Sequence, residues 1–448
     1  MIKPVGLSIA GIDTGNGAGA ETDIKVYEIL GVHGVLVPTA ITAQNTKGIK
    51  GILTIERDFF KKQLATILED FDIKSVKIGM IYNKDQYEIV NEYLKDNTIV
   101  TDPVLFAKDG TQLIKDLEEY QKLILPIATV LTPNAIEASY FAQMKIESIE
   151  DAKKASKIIA QKYGIPFVII KGGHVQGKYS IDILYKANED SFLSIGYERL
   201  YQKHTHGTGS VFSTAISAEL AKGNGIEGAF RVARDLLQVS IQYGLEVGKG
   251  IGPIDPLTYL EKDAYKYKVI EDMNDFYMFV EQTPSFYRLI PEVQSNLAHS
   301  IPSTYVKDLN DIATFKNRII KNWDNKVKVG FPVTFGKPTH TARLLLAIIT
   351  KGINADTLIN IRFDEKIINL LNSYGLDMIE VNRELEPEKE IEGKSMQWLI
   401  DYVYEMKGKI PNVIFDRGMK GKEAMIRIWT NGMSSMIDIL EYVCKNLS

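Results

Sequence analysis

Short apolar runs alternate with longer segments whose apolar residues recur every three or four positions, from residue 5 to about residue 260. Continuous apolar runs are typical of buried strands, and the periodic segments of amphipathic helices. Strands are predicted at 5–11, 34–42, 75–81, 98–104, 128–133 and 166–171, and a β-hairpin at 179–200. Helices are predicted at 24–30, 58–71, 85–96, 111–124, 135–143, 151–163 and 211–220. This order predicts an α/β fold with a mostly parallel sheet and helices on both faces.

A charged, tyrosine-rich segment at 261–275 interrupts the alternation, which then resumes. Strands are predicted at 327–333, 356–363, 377–382, 412–416 and 424–429, and helices at 339–351, 364–374, 394–407 and 433–446. The short connection between the last two strands indicates a mixed sheet. We therefore expect a smaller second α/β domain and a boundary near residue 268, with domains at 1–265 and 272–448.

The composition is that of an ordinary globular protein. With 448 residues the chain is long for one core, and 45% hydrophobic and 25% charged residues give no indication of disorder. A net charge of −4 makes nucleic acid an unexpected partner, and the single cysteine, Cys444, excludes a disulfide framework. We recognise neither a signal peptide nor a membrane-spanning run, so we expect a cytoplasmic protein without a membrane partner.

One glycine-rich loop, Gly207-Thr208-Gly209-Ser210, stands directly before a predicted helix. Glycines allow successive backbone N–H groups to point at one place, and the helix start adds unpaired donors and a positive dipole end. Such a loop binds anions. The alternative is an ordinary turn that caps a helix.

Polar residues follow the predicted strands of the first domain, where the carboxyl ends of parallel strands place ligands. The segments are 11–19, 42–46, 79–80, 101–103, 132–134 and 171–174. The glycines at 15–19 match neither the dinucleotide-binding spacing nor a Walker A motif, so we interpret them as room for a substrate close to the backbone.

Motifs throughout residues 1–260 resemble the hydroxymethylpyrimidine and hydroxymethylpyrimidine-phosphate kinases. They are Ser8–Gly11, Thr22–Lys25, Thr39–Thr46, Lys77–Met80, Thr101–Val104, Leu131–Asn134 with Glu137, Lys171–His174, His206–Gly209 and Glu246–Pro253. The resemblance implies a ribokinase-like fold. It also implies two successive ATP-dependent phosphorylations, of the pyrimidine alcohol and then of its monophosphate.

The resemblance assigns roles to residues that suit the chemistry. Substrate binding falls to Gly11, Asp23, Gln44 and Met80, ATP binding to Asn134, Lys171 and Thr208, Mg²⁺ to Asp102 and Glu137, and catalysis to Gly207, Thr208, Gly209 and Ser210. An amide such as Gln44 pairs with the adjacent donor and acceptor of an aminopyrimidine. Lys171 and the loop backbone neutralise charge on the transferred phosphate.

Ser210 departs from the pattern of the kinases, which usually carry cysteine there, whereas the wider superfamily often has aspartate as a base. A serine hydroxyl is a poor base near neutral pH. Either the backbone anion site carries most of the catalysis or another group accepts the proton.

Cations gather near strand ends and one helix start in the second part of the chain. They are His340, Arg343, Arg362, Arg383, Arg417, Lys422 and Arg427. Arginines at strand ends usually form surface ion pairs, but several around one cleft indicate a phosphate or pyrophosphate site. His340 donates to an anion or serves as a capping or packing histidine.

Residues 272–448 resemble the archaeal-type thiamine-phosphate synthase domain. The motifs are Leu289–Val293 with Asn296, Gly330, Phe335-Gly336 with His340 and Arg343, Ile359–Arg362, Glu392–Trp398, Ile414–Gly418, Gly421–Glu423 and Met425–Arg427. The resemblance implies displacement of pyrophosphate from hydroxymethylpyrimidine diphosphate by thiazole phosphate. Such a reaction needs charge neutralisation on the leaving group and an aligned nucleophile.

We therefore predict a bifunctional enzyme of thiamine biosynthesis that uses ATP and Mg²⁺, acts on small molecules and forms a homo-oligomer. One alternative is a non-catalytic, ligand-sensing second domain, although a kinase rather than a DNA-binding segment precedes it. Another is a kinase for a related ring such as pyridoxal, against which Gln44 and Met80 argue.

Overall fold

The computed structural model describes residues 2–106, 110, 112–174, 177–385, 394–419 and 421–447. The chain forms two compact units that divide between Leu260 and Glu261. The predicted junction near residue 268 lies within a helix that spans Thr258–Gln282. Residues 392–393 of one quoted motif lie outside the described residues. Within the described chain, no helix is long and apolar enough to cross a membrane.

The first unit is built on a nine-stranded sheet. Its strands are β1 (Val5–Asp13), β2 (His33–Asn45), β3 (Gly48–Thr54), β4 (Ile73–Ile78), β5 (Ile99–Thr101), β6 (Val130–Leu131), β7 (Phe167–Ile170), β8 (Tyr179–Lys186) and β9 (Ser191–Glu198). The order is β3-β2-β1-β4-β5-β6-β7-β8-β9. The six strands from β2 to β7 in this order are parallel, and β3, β8 and β9 are antiparallel to their neighbours.

Helices cover both faces of this sheet, as predicted. They are α1 (Gly19–Ile29), α2 (Arg57–Asp70), α3 (Lys84–Leu94), α4 (Leu117–Leu123), α5 (Ala135–Ala142), α6 (Ile149–Tyr163), α7 (Thr208–Ala221) and α8 (Ile226–Gln242). Val168 and Ile170 of β7 pack with α2 to α6, whereas Ile169 packs with α1, α7 and α8. Successive strand residues point to opposite faces, so both faces of the sheet are buried.

Three details of the first unit differ from the prediction. Helix α8 was not predicted at all, although its buried apolar residues recur at helical spacing. The predicted helix 111–124 is wrong over most of its first half, because α4 starts only at Leu117. Strand β3 was not predicted, since Gly48 and Gly51 weaken the strand pattern of a segment that pairs along β2.

The second unit contains a seven-stranded sheet and a separate two-stranded one. The strands are β10 (Leu297–Ser300), β11 (Ile312–Phe315), β12 (Ile320–Lys321), β13 (Val327–Lys328), β14 (Val333–Phe335), β15 (Thr357–Arg362), β16 (Met378–Glu380), β17 (Val413–Asp416) and β18 (Met425–Thr430). The order of the larger sheet is β14-β11-β10-β15-β18-β17-β16. Among the described strands of this sheet only β16 and β17 pair in parallel, so the sheet is mixed, as predicted.

The predicted strand 327–333 is wrong. Its ends belong to β13 and β14, in different sheets, with Gly330 and Pro332 between them. Proline lacks the N–H that a continuous ladder needs, which accounts for the break.

Helix α9 (Thr258–Gln282) begins just before the division and belongs mostly to the second unit. The other helices of the second unit are α10 (His340–Thr350), α11 (Glu365–Tyr374), α12 (Lys394–Lys407) and α13 (Met433–Asn446). Helix α9 includes the charged, tyrosine-rich segment that was not predicted to be helical. Its buried residues Val269, Met273, Phe276 and Val280 recur at helical spacing and join the core of the second unit.

Candidate active sites

A cavity of about 930 Å³ opens at the carboxyl ends of the parallel strands of the first unit. Most of the residues that the sequence singled out in this unit line it. They are Gly11, Gln44, Met80, Asp102, Asn134, Glu137, Lys171, Gly207, Thr208, Gly209 and Ser210. The structure therefore brings together side chains from separate loops, as the fold requires of a ligand site.

The glycine-rich loop forms the start of α7, at the wall of the cavity. Gly207 caps the helix with φ at 87°, a left-handed conformation that favours glycine. A Cβ there would overlap the carbonyl oxygen of Gly17. A Cβ on Gly209 would lie 2.8 Å from Asp102 Oδ2, so this helix start directly adjoins the charged side chains described next.

Lys171, Asp102 and Glu137 form a charged group beside this helix start. Lys171 Nζ lies 2.8 Å from Asp102 Oδ1. Burial, together with the charge on Asp102, raises the pKa of Glu137 to about 7 despite the attraction of Lys171. Burial disfavours the charged amine of Lys171, but the two carboxylates raise its pKa above the usual value. Two carboxylates thus share one ammonium.

Asn134 and Glu137 also have a structural role at the start of α5. The Asn134 side chain accepts from the backbone N–H groups of Ile136 and Glu137, and Glu137 Oε2 accepts from Asn134 N at 2.8 Å. This capping box fixes the start of α5 and holds both side chains at the cavity wall.

Asp182 and Arg234, which the sequence reasoning missed, support the loop that carries Lys171. Asp182 Oδ1 accepts from Gly172 N at 2.7 Å, and Arg234 Nε lies 3.1 Å from Asp182 Oδ2. A Cβ on Gly172 would overlap the carbonyl oxygen of Ile181. No local motif marks the pair, because its members lie on β8 and α8.

Gly11, Met80 and Gln44 form the other end of the cavity. A Cβ on Gly11 would lie 2.8 Å from Met80 Sδ, so the glycine makes room for the thioether. Gln44 is half-buried, and its backbone N–H donates to Thr14 Oγ1 at 2.9 Å. An apolar wall and one amide suit a small planar ring with polar edges.

Asp23 does not fit its predicted role in substrate binding. It is fully buried on α1, and Lys77 Nζ lies 3.0 and 2.7 Å from its two oxygens. Ser8 and Thr214 donate to the same carboxylate. All these donors belong to the protein, so we interpret the Asp23–Lys77 pair as structural support, with Lys77 next to the cavity.

Asp13 and His206 are two further cavity residues that were not predicted as site residues. Asp13 Oδ2 lies 2.8 Å from His206 Nε2, and the carboxylate also accepts from the backbone of Gly15, Gly17 and Ala18. Burial opposes ionisation, but these hydrogen bonds lower the pKa of Asp13 below its usual value. His206 stood in a quoted motif, yet only the fold brings it to the end of β1.

Ser210 uses its hydroxyl to accept from Gly19 N at 3.1 Å. The side chain is almost buried and lines the cavity. It joins the start of α7 to the glycine loop that follows β1. None of these contacts makes the hydroxyl a stronger base.

Four arginines and one histidine gather in the second unit around the start of α10. Burial is the largest cause that lowers the pKa of His340 below its usual value. The pKa is lowered further by the positive charges of Arg343, Arg318, Arg427 and Arg383. Four members of this cluster were predicted, and Arg318 was missed. A neutral histidine beside arginines at a helix start suits an anion.

Arg362 lines a cavity of about 230 Å³ with Arg288, Lys321 and Lys366. Its Nη2 donates to Asp364 at 2.7 Å, whereas its buried Nε has no hydrogen-bond partner among the described residues. On the neighbouring strand, Arg427 Nη1 donates to Asp416 at 2.8 Å. The pairing of Asn360 with Arg427 puts Arg362 and Arg427 on the same face of the sheet.

Arg417 pairs with carboxylates in the structure, and Lys422 belongs to a turn. Arg417 is 55% exposed and forms ion pairs with Glu365 and Glu380, which contradicts its predicted role in the anion site. Lys422 lies in a tight turn with Met419. The surface ion pair proposed as the alternative for strand-end arginines therefore holds for Arg417.

Comparisons with known proteins agree with the two-unit architecture. A model of the phosphomethylpyrimidine kinase family matches residues 13–255, and a model of the thiamine-phosphate synthase ThiN matches residues 272–442. The chain is similar to a hydroxymethylpyrimidine/phosphomethylpyrimidine kinase of Bacillus subtilis, 36% identical over 56% of this chain and 94% of the relative. The same enzyme of Aquifex aeolicus is 38% identical over 56% of this chain and 99% of the relative.

A solved structure extends the likeness to the fold. The pyridoxal kinase of Staphylococcus aureus in complex with AMP-PCP and pyridoxal is 31% identical, with a TM-score of 0.52, over 57% of this chain and 94% of that one. Kinases of this family use ATP as the phosphoryl donor. The chain belongs to the phosphomethylpyrimidine kinase family and, with its ThiN domain, is a bifunctional enzyme of thiamine biosynthesis.

Proposed function

We propose that the first unit phosphorylates 4-amino-5-hydroxymethyl-2-methylpyrimidine and then its monophosphate in one cavity. The pyrimidine ring lies between Met80 and Gln44, and the γ-phosphate of ATP lies at the start of α7 beside Lys171. One observation carries this proposal. The same cavity contains the apolar wall at Met80, which suits a ring, and the helix start beside Lys171, which suits a phosphate. Phosphoryl transfer needs placement and charge neutralisation more than a strong base, which suits serine at position 210.

Asp102 and Glu137 fit a magnesium ion. Their carboxylate oxygens are the ligand type that Mg²⁺ prefers, and both side chains line the same cavity beside the start of α7. When bound, Mg²⁺ neutralises charge on the phosphates. Asn134 and the capping box keep Glu137 directed at the same space.

In the second unit, we propose that the His340 cluster binds the pyrophosphate of hydroxymethylpyrimidine diphosphate. The thiazole nitrogen forms the new C–N bond at the methylene carbon as the C–O bond to pyrophosphate breaks. His340, Arg343 and Arg427 stabilise the negative charge that leaves with the pyrophosphate. Because neutral His340 still donates a hydrogen bond, its lowered pKa is compatible with this role.

The test supplies the purified chain with the pyrimidine alcohol, ATP, Mg²⁺ and thiazole phosphate, and measures thiamine phosphate. Lys171→Ala should abolish product from the alcohol but not from the diphosphate. Arg343→Ala should lower product from either by at least about 100-fold, the usual order of a lost electrostatic contact in a transition state. Equal loss of both activities in both variants would contradict two separate sites.

Matched controls separate site effects from general damage. Lys157→Ala removes a surface lysine paired with Asp190, and Arg417→Ala removes the exposed arginine paired with Glu365 and Glu380. Both should keep wild-type rates. Pyridoxal in place of the pyrimidine tests the activity of the structural relative, and a higher kcat/KM with pyridoxal would overturn the ring assignment.

The proposal includes a cytoplasmic location, which suits an enzyme that consumes ATP. It also includes a homo-oligomer. Leu53 on the edge strand β3 and its partner Ile41 on β2 are 69% and 41% exposed, and adjoining apolar side chains of this kind suit a subunit contact. Sedimentation of the purified protein tests this state, and a monomer would contradict it.

A further inference from the structure

The amide of Gln44 lies between two side chains whose hydrogen bonds are already determined. Its Nε2 lies 3.1 Å from His206 Nε2, and its Oε1 lies 3.4 Å from Thr42 Oγ1. The two ends of a carboxamide have the same shape, so the neighbouring donors and acceptors decide which end is which.

His206 is a donor at Nε2. Asp13 Oδ2 lies 2.8 Å from this nitrogen, and an ionised carboxylate only accepts. Three backbone amides donate to the same carboxylate, which keeps it ionised. The ring must therefore carry a hydrogen on Nε2, and only an acceptor atom can lie beside that N–H without repulsion.

Thr42 is an acceptor towards Gln44. Its hydroxyl donates to the carbonyl oxygen of Ile12 at 2.9 Å, which uses its single hydrogen. A half-turn of the terminal amide removes both conflicts, because the one Nε2 hydrogen of His206 then faces two acceptors, Asp13 and Oε1 of Gln44, and Thr42 Oγ1 faces a donor. It places Oε1 next to His206 and Nε2 next to Thr42.

This inference rests on the proposed kinase function. We propose that Asp13, His206 and Thr42 are positioning residues that fix the amide of Gln44 in this orientation and thereby select a ring edge with an amino group beside a ring nitrogen. Oε1 then accepts from the amino group, and Nε2 donates to the ring nitrogen. A 4-oxo ring presents the reverse order, an acceptor oxygen beside a ring N–H. Its oxygen would then face the acceptor Oε1, and its N–H would face the donor Nε2.

The test compares kcat/KM for the aminopyrimidine alcohol with kcat/KM for its 4-oxo analogue. A site built to hydrogen-bond a substrate group rejects the wrong group strongly, so the wild type should prefer the aminopyrimidine by at least about 100-fold. Thr42→Val and His206→Phe should each reduce this preference at least about tenfold. They should do so partly by raising activity with the 4-oxo analogue, because the amide is then free to turn.

Thr42→Ser is the matched control, since it keeps the hydroxyl and should keep the preference. An equal decrease with both substrates in Thr42→Val would overturn the inference, because that is the effect of structural damage alone. If His206→Phe does not fold, the two Thr42 variants decide. A wild type that phosphorylates neither ring would instead refute the proposed kinase function.

Discussion

Asp23 illustrates at the scale of single residues how burial decides between binding and support. Its carboxylate and the Lys77 ammonium are both essentially inaccessible. Removing one partner of a buried pair leaves an uncompensated charge, so Lys77→Met should lower the free energy of unfolding of the first unit by about 3–5 kcal/mol. Urea denaturation of the full chain, followed through kinase activity, measures the change.

The control is Lys74→Met, which removes a half-exposed lysine paired with Asp72 at 2.6 Å. An exposed pair contributes at most about 1 kcal/mol. Normal stability in Lys77→Met would restore Asp23 as a candidate for substrate binding, because its charge would then have no need of Lys77.

Glu137 should give the kinase a pH dependence. Burial and the charge on Asp102 raise its pKa to about 7, so the carboxylate gains its proton as the pH falls through that value. If the ionised form serves the reaction, kcat/KM for ATP should fall about tenfold for each pH unit below 7.

Glu137→Gln provides the comparison for this profile, because glutamine also suits the third position of a capping box. The variant should be less active at pH 8 and should lack the acidic decline. A variant with the same decline as the wild type would assign the titration to another group.

The position of the start of helix α7 depends on Gly207. Gly207→Ala puts a Cβ in a left-handed position and against the carbonyl oxygen of Gly17, so it should displace the glycine loop and lower kcat at least about tenfold. Gly223→Ala at the other end of the helix is the control. Gly223 has φ at 85° and open space around it, so only the strain of about 1–2 kcal/mol applies.

Comparable kcat values for the two variants would show that α7 tolerates displacement of its start. Kinase assays at saturating ATP, with circular dichroism to check the fold, distinguish these outcomes.

The elements that the sequence predicted well are those with a strong local pattern. Strand β1 and helix α10 carry clear periodicity, whereas β10 and β11 are four residues each, and β12 and β13 two each. Such short strands form because neighbouring strands pair with them, and a local sequence pattern does not indicate that pairing. The same holds for the site: Gln44 and Lys171 follow strand ends, but Asp182 and Arg234 meet only through tertiary packing.

At the scale of the whole molecule, the two units have separate hydrophobic cores. Among the described residues, the core of the second unit contains none before Tyr265, and the cores of the first contain none after Tyr259. Damage to one site should therefore leave the other folded. An equimolar mixture of the Lys171→Ala and Arg343→Ala proteins should form thiamine phosphate from the alcohol after a lag, and much faster than either protein alone.

Product analysis over time, with each variant alone as the control, measures this recovery. A mixture that stays inactive while free diphosphate supports the Lys171→Ala protein would mean that the intermediate does not leave the chain that makes it.

Serine at position 210 has a consequence for chemical resistance. The chain's one thiol, Cys444, is buried in the second unit, and burial raises its pKa to about 11. Alkylating agents and peroxides attack thiolates, so they find no target where the phosphate is transferred. The kinase reaction should survive thiol alkylation that inactivates relatives with cysteine at that place.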